Sequence, residues 1–147
     1  DYQADVCDIL QCAGLLHDIG KVGIPDSVLN KPGKLTEIEF GVIKSHTNIG
    51  ADILNDIRTI AGVSLGAKYH HERYDGGGYP LGLKGEEIPL GARICAIADT
   101  YDGITAWKPY KKKQTTKEQA VDIIVKESGK QFDPELVKIF LQCVKLF

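Results

Sequence analysis

Apolar residues recur at intervals of three and four along most of the chain, which is the spacing of amphipathic helices. The first such stretch runs to His17 and contains Val6, Ile9, Leu10, Ala13 and Leu16. Glycines and prolines between residues 20 and 33 then predict a loop. Thr36 and Glu39 form a capping-box pattern. This pattern predicts a second helix over about 37–54, with the apolar residues Phe40, Ile43, Ile49 and Leu54.

A third helix is predicted from about residue 57 to 73, because Ile60, Val63 and Ala67 recur at helical spacing. The segment that follows, residues 75–80, holds three glycines and a proline. These residues favour turns, so a glycine-rich loop is predicted from there to about residue 89.

The last part of the chain predicts three more helices. The first is rich in small residues and lies around 92–98, and a basic connection at 108–113 follows it. Thr116 pairs with Gln119 in a second capping-box pattern that opens a helix to about residue 128. Asp133 then precedes Pro134, a proline suited to the first helical position. No segment has the alternation of a strand, so the predicted fold is all-α, a single compact bundle.

Composition narrows the class of protein. A chain of 147 residues with 43% hydrophobic and 26% charged residues is typical of one folded domain. The net charge of −2 disfavours a nucleic-acid polymer as partner, and no apolar run reaches the ~18 residues that would span a membrane. The four cysteines form no CxxC pair, which favours reduced, buried thiols and a cytoplasmic location.

Candidate chemistry is concentrated in the four histidines and two aspartates. His17 precedes Asp18, His46 lies in the second predicted helix, His70 and His71 are adjacent, and Asp99 follows an apolar stretch. Burying such groups unpaired is costly, so they pair with one another or bind a metal. Imidazole and carboxylate without cysteine suit Fe, Mn, Zn or Ni. Any one of these histidines alone is more often an ordinary core or surface residue, so the pattern leaves both interpretations open.

The order of these motifs resembles the HD-GYP branch of the HD-domain phosphohydrolases. The resemblance spans roughly residues 10–141, and its motifs stand in the order found in the family. The segments that carry it are His17-Asp18-Ile19-Gly20-Lys21, His46, His70-His71-Glu72-Arg73-Tyr74-Asp75-Gly76-Gly77-Gly78-Tyr79-Pro80, Ala98-Asp99-Thr100-Tyr101-Asp102 and Pro109-Tyr110-Lys111.

The resemblance implies a metal-dependent phosphodiesterase of bacterial second-messenger signalling, which opens cyclic di-GMP to linear pGpG and, in some members, to GMP. It implies two divalent cations, with Fe or Mn favoured and Zn, Ni or Mg as alternatives. By motif match, the first ion is held by His17, Asp18 and Asp99, and the second by Asp18, His46, His70 and His71. Lys21 would contact the substrate phosphate and act with Asp18 in catalysis. The other implied substrate-binding residues are Gly78, Tyr79, Pro80, Lys108 and Lys111.

The chain departs from the family in two places. No histidine precedes His17, whereas the family carries one on an upstream helix. The chain, residues 1–147, is therefore expected to lack that first helix and any N-terminal sensor, receiver or GGDEF-type domain, which could also anchor the parent protein to a membrane. Lys108 stands where the family usually has arginine, which would weaken substrate recognition.

The sequence also allows interpretations in which these residues have no functional role. Lys21 could be a solvated lysine, the glycine triplet an ordinary turn, and the basic run a solvated face. Two other functions also remain. One is a catalytically weak module that binds a nucleotide or a signalling partner, and the other is a hydrolase of a different phosphorylated nucleotide.

Overall fold

The computed structural model describes residues 2–56, 62–106 and 115–145. Within these ranges it contains no strand, only an isolated bridge between Ser128 and Phe132, so the all-α prediction is confirmed. Two short 3₁₀ turns cover Ile19–Gly23 and Gly85–Glu87. The described helices are α1 Tyr2–Leu16, α2 Asp26–Leu29, α3 Glu37–Lys44, α4 His46–Asn55, α5 Val63–Tyr69, α6 Leu90–Thr105, α7 Lys117–Lys126 and α8 Pro134–Val144.

Three predicted helix starts are confirmed by their hydrogen bonds. Thr36 and Thr116 each accept a bond from the backbone N–H three residues later, and both capping boxes are complete. The side chain of Asp133 accepts a bond of 2.8 Å from the backbone N–H of Glu135, with Pro134 at the first helical position. These bonds satisfy donors that have no partner within the helix.

The predicted helix over 37–54 is wrong in one respect, because the structure divides it at Ser45 into α3 and α4. The hydroxyl of Ser45 donates to the carbonyl oxygen of Val42 over 2.7 Å. His46 and Thr47 also bond to carbonyl oxygens three residues earlier. Such side-chain bonds compete with the regular ladder and bend helices.

Two other predicted boundaries also change. The described part of the third helix, α5, ends at Tyr69 rather than near 73, and residues 57–61 lie outside the described ranges. The loop predicted over 20–33 contains the 3₁₀ turn Ile19–Gly23 and the short helix α2, which follows Pro25. The basic run at 108–113 also lies outside the described ranges.

Helix α6 contributes residues to both apolar clusters of the bundle and so connects them. Cys95 packs with residues of α1, α4 and α5, whereas Ala96 and Ile97 pack with α7, α8 and Phe132. Ala92, which is fully buried, shows how the small side chains let neighbouring elements approach α6 closely. An ion pair of 2.5 Å between Arg93 and Asp133 ties α6 to the start of α8. Asp99 is therefore carried on a firmly packed helix.

The expectation of buried, reduced thiols holds only in part. All four cysteines are free, and Cys95 is buried, but Cys7 and Cys143 are exposed. They lie on outward faces of α1 and α8, so the apolar spacing around them overestimated their burial. In the part of the chain that the structure describes, no helix is both long and apolar enough to cross a bilayer.

Candidate metal centre

Asp18 lies at a sharp junction between α1 and the 3₁₀ turn Ile19–Gly23. Its carbonyl oxygen accepts a bond of 3.0 Å from the backbone N–H of Lys21, which closes the turn. Gly20, inside this turn, is buried against α4. The turn therefore brings the Asp18 side chain to the start of α4, where His46 lies.

Three histidines share one mode of orientation. The Nδ1 atoms of His17, His46 and His70 donate to the carbonyl oxygens of Gly14, Ile43 and Ala67, over 2.7, 2.6 and 2.9 Å. Each carbonyl lies three residues before its histidine, so the bond is set by the local helix. With Nδ1 protonated, Nε2 carries the lone pair whenever the ring is neutral, which is the arrangement typical of metal-binding histidine.

The two carboxylate oxygens of Asp18 face different partners. Oδ1 lies 3.4 Å from Nε2 of His46 and 3.8 Å from Nε2 of His70. Oδ2 lies 3.4 Å from Nε2 of His17 and contacts the ammonium group of Lys21. A single carboxylate thus joins two groups of side chains, which is the geometry of a bridging ligand.

His17 lies between two carboxylates, because its Nε2 atom is also 3.4 Å from Oδ1 of Asp99. Hydrogen bonds to Asp18 first, and then to Asp99, raise the pKa of His17 to about 10. Burial alone would raise the pKa of Asp18, but hydrogen bonds from His17 and Lys21 outweigh it and hold that pKa well below its usual range. The His17 bond likewise lowers the pKa of Asp99. The carboxylates of Asp18 and Asp99 therefore strongly favour a positive charge between them.

The pKa values of His70 and His71 are shifted in the opposite direction to that of His17. Burial, reinforced by the neighbouring histidines, lowers the pKa of His70 to about 4 and that of His71 to about 3. Both rings are thus neutral near pH 7 and able to offer a nitrogen lone pair. Because α5 ends at Tyr69, these adjacent residues leave the helix, and their ring centroids lie only 4.1 Å apart.

Unpaired polar atoms show that this cluster fits a metal ion. Asp18, His46, His70 and His71 each offer a ligand atom, and these atoms all lie within 4.8 Å of one another. Among the described residues, Oδ1 of Asp18 and the Nε2 atoms of His46 and His70 have no hydrogen-bond partner. Leaving such buried atoms unpaired is costly, and a cation would satisfy them together. Nitrogen and oxygen donors without sulfur suit a divalent metal.

The glycine-rich loop is held against the cluster by Glu72, whose role the sequence reasoning missed. Its buried carboxylate accepts bonds from the backbone N–H groups of Leu81 and Leu83, at 2.7 and 3.0 Å. A Cβ atom on Gly78 would lie only 2.3 Å from the backbone nitrogen of Arg73, so this close approach requires glycine. The Glu directly after the histidine pair was the available signal.

Three of the six predicted substrate residues lie at the cluster or line the adjoining cavity. A cavity of about 290 Å³ is lined by Gly78 and Tyr79 together with His70, His71 and Asp99. The Tyr79 ring stacks on His71 at 4.8 Å between centroids, and burial raises the pKa of its hydroxyl to about 12. Of the remaining predicted residues, Lys21 contacts Asp18, Pro80 is outside the cavity lining, and Lys108 and Lys111 lie outside the described residues.

The fold is an all-helical bundle with a histidine–aspartate cluster that could hold a metal ion. Residues 3–136 match the sequence profile of the HD domain, and the chain belongs to that family. The resemblance inferred from its motifs is thereby confirmed.

Named relatives agree with this assignment. The chain is 46% identical over 136 residues to a cyclic di-GMP phosphodiesterase of Pseudomonas aeruginosa, covering 92% of this chain and 32% of the relative. It is 48% identical over 136 residues to a cyclic di-GMP phosphodiesterase response regulator of Xanthomonas campestris, covering 91% and 36%. The chain thus spans about a third of the length of these relatives.

A solved structure shares the fold. The crystal structure of a cyclic GMP-AMP specific phosphodiesterase of Vibrio cholerae aligns with a TM-score of 0.70 and 26% sequence identity. The alignment covers 93% of this chain and 38% of that one. The helical fold and the order of its elements are therefore shared with a solved relative.

Proposed function

We propose that this domain is a metal-dependent phosphodiesterase that hydrolyses cyclic di-GMP to linear pGpG, with GMP as the product of a second cleavage. The observation that carries the proposal is the division of the Asp18 carboxylate, with one oxygen towards His46 and His70 and the other towards His17. The names of the relatives from P. aeruginosa and X. campestris support the choice of substrate.

The cluster would hold two divalent cations. Asp18 would bridge them, with His17 and Asp99 on one side and His46, His70 and His71 on the other. Mixed imidazole and carboxylate donors favour Fe or Mn, with Zn, Ni or Mg as alternatives. When bound, such ions stabilise the negative charge that develops on a phosphoryl group and lower the pKa of a nearby water.

The side chains of the protein itself supply orientation and further charge. Lys21 reaches Oδ2 of Asp18, and its ammonium group would lie beside the phosphate that is cleaved. The Tyr79 hydroxyl, which stays protonated near pH 7, would donate a hydrogen bond to the bound nucleotide. Hydrolysis adds water across one P–O3′ bond, so the product carries a free 3′-hydroxyl and a 5′-phosphate.

The direct test is an assay of the purified chain after loading with Mn²⁺ or, under anaerobic conditions, Fe²⁺. Chromatography should show loss of cyclic di-GMP and formation of pGpG. Asp18→Asn should remove this activity, whereas Glu86→Gln, an exposed change in the 3₁₀ turn Gly85–Glu87, should not. Binding of cyclic di-GMP without turnover in every loaded form would contradict the proposal and favour the weak-module alternative.

Hydrolysis of 3′3′-cGAMP is a second candidate function. A relative from V. cholerae named a 3′3′-cGAMP-specific phosphodiesterase is 42% identical over 137 residues, and the solved V. cholerae structure is also that of a cyclic GMP-AMP specific phosphodiesterase. Competition between equal concentrations of the two dinucleotides gives the ratio of their kcat/KM values directly. A ratio above one for cyclic di-GMP supports the first assignment, and a ratio below one supports the second.

The proposal also covers the partner domains and the cellular location of this domain. The X. campestris relative is named a response regulator, which supports a receiver domain as a regulatory partner, and a GGDEF-type partner would supply the substrate. We propose a cytoplasmic location because a nucleotide second messenger is made and degraded there.

A further inference from the structure

Phe40 and Lys44 form an unusual surface feature at the end of α3. Phe40 is 44% exposed although the sequence spacing assigned it to the apolar face. The Nζ atom of Lys44, one helical turn later, lies 4.6 Å from the centre of the Phe40 ring and 5.3 Å from that of Tyr79. Phe40 and Tyr79 meet edge to face, with their centroids 6.3 Å apart. We call Phe40 and Lys44 the α3 patch.

The α3 patch opens into the cavity of the metal cluster. Phe40 and Lys44 line the same space of about 290 Å³ as His70, His71 and Asp99. No carboxylate of the described residues lies within 4.0 Å of Lys44 Nζ, whereas Lys21 and Lys31 are both paired with carboxylates. Lys44 therefore presents an unneutralised positive charge beside two aromatic rings at this cavity.

Lys44 and Lys21 contact different residues. A series of contacts runs from Lys21 to Asp18, through the histidines to Tyr79, and from Tyr79 to Lys44. The two lysines thus stand at the two ends of this series. A cyclic dinucleotide carries two phosphates on its macrocycle, so a second cation that is separate from Lys21 matches its charge.

We propose that the α3 patch is a substrate subsite in which Lys44 binds the phosphate that is not cleaved and Phe40 stacks on the adjoining base. This inference rests on the proposed function. An ammonium group suits a phosphate because it donates charge-assisted hydrogen bonds, and an exposed aromatic ring accepts any purine. The subsite acts equally in the bound and transition states, so it affects KM rather than kcat.

Lys44 could instead serve only to brace Tyr79 through its cation–π contact. Lys44→Met removes the charge that both roles use while keeping an apolar stem against the rings, so the two roles are separated by comparing substrates with and without a second phosphate. Lys44→Arg keeps the charge. Lys68→Met is a matched control, since Lys68 lies 5.5 Å over the Tyr69 ring but does not line the cavity. Thermal unfolding of each variant reports whether the fold is kept.

The experiment compares two substrates in the metal-loaded protein. For cyclic di-GMP, Lys44→Met should raise KM about tenfold, the size expected for one charge-assisted bond, with kcat within about twofold of the parent value. Lys44→Arg should restore most of the loss, and Lys68→Met should have no effect. With bis(p-nitrophenyl) phosphate, which has no second phosphate, Lys44→Met should match the parent.

Other results would contradict the subsite or separate it from the proposed function. Equal loss with both substrates, or a fall in kcat at constant KM, would overturn the subsite and support the brace. Binding of a non-hydrolysable phosphorothioate analogue of cyclic di-GMP, measured by calorimetry, separates this inference from the proposed function. If the parent binds the analogue but hydrolyses no dinucleotide, the proposed function fails, and weaker binding by Lys44→Met still supports the subsite. If the parent neither binds the analogue nor hydrolyses a dinucleotide, both are overturned.

Discussion

A methyl group on Gly20 would lie 1.9 Å from the carbonyl oxygen of His46, so the two backbones approach only because residue 20 lacks a side chain. This approach brings the turn that carries Asp18 against the first residue of α4. The glycine between the aspartate and Lys21 is therefore a spacing element of the cluster.

Gly20→Ala should force the turn and α4 apart. We expect a loss of about 1–3 kcal/mol in the free energy of unfolding, as is typical of overpacking, together with weaker metal binding. Urea unfolding and elemental analysis measure the two effects. Gly41→Ala is the control, because a methyl group there meets nothing within 4 Å, and this change in α3 should be neutral or slightly stabilising. Equal behaviour of the two variants would contradict the argument.

The division of the Asp18 carboxylate predicts a pattern of metal stoichiometry. His70→Ala should lose one of two ions and Asp99→Ala the other, whereas Asp18→Ala should lose both. Mass spectrometry of the eluted metal after gel filtration gives the number of ions per chain. Two ions retained by Asp18→Ala would rule out a bridging role for this residue.

Lys21→Met should leave the metal content unchanged and lower kcat on the order of 10²-fold, because a cation beside the reacting phosphate is worth ~3 kcal/mol in the transition state. Lys34→Met serves as the control, because Lys34 is exposed and lies in the loop before α3. Parental turnover in Lys21→Met would show that its contact with Asp18 is structural alone.

Glu72→Gln tests the anchor of the glycine-rich loop. Glutamine has a single acceptor oxygen, so one of the two backbone N–H groups at Leu81 and Leu83 should lose its partner, at a cost of about 1–3 kcal/mol. Hydrogen exchange at these two amides should accelerate, and turnover should fall as Tyr79 loosens. The exposed Glu86→Gln should change neither rate. Unchanged exchange in Glu72→Gln would mean that the loop is held by other contacts.

Glu39 predicts a pH dependence of stability away from the cluster. Hydrogen bonds from Lys31, and then from Thr36, lower its pKa to about 2 from the ordinary 4.5. A carboxyl with a lowered folded-state pKa stabilises fully above its unfolded value, and this contribution is lost as the pH falls from about 4.5 towards 2. Glu39→Gln should therefore flatten the pH dependence of urea unfolding in that window, and Glu37→Gln should not.

Local patterns correctly predicted where helices begin when the capping residues are close together in the sequence, as at Thr36, Thr116 and Asp133. They failed at Ser45, because a break made by three consecutive side-chain bonds leaves the apolar spacing intact. Spacing also placed Phe40 among the apolar residues of that helix, yet its side chain is exposed, since spacing identifies a face of a helix but not what that face meets.

The resemblance predicted two groups of ligands with Asp18 in both, but not the geometry of the cluster. Which oxygen of Asp18 faces which group depends on how α1, α4 and α5 pack. Lys44 carried no signal of its own, because a lysine on a helix is commonplace, and Glu72 was marked only by its position directly after the histidine pair. Their significance comes from contacts with residues distant in the sequence, such as Tyr79 and Leu83.

The carbonyl bonds that orient His17, His46 and His70 have a consequence for metal exchange. Since each ring is fixed by its own helix, the three Nε2 atoms are already aimed at the cluster, and little refolding would accompany the entry or departure of an ion. Different divalent ions would then meet the same rigid set of donors. Which ion occupies the protein in a cell should accordingly follow the supply of metal more than any adjustment of the fold.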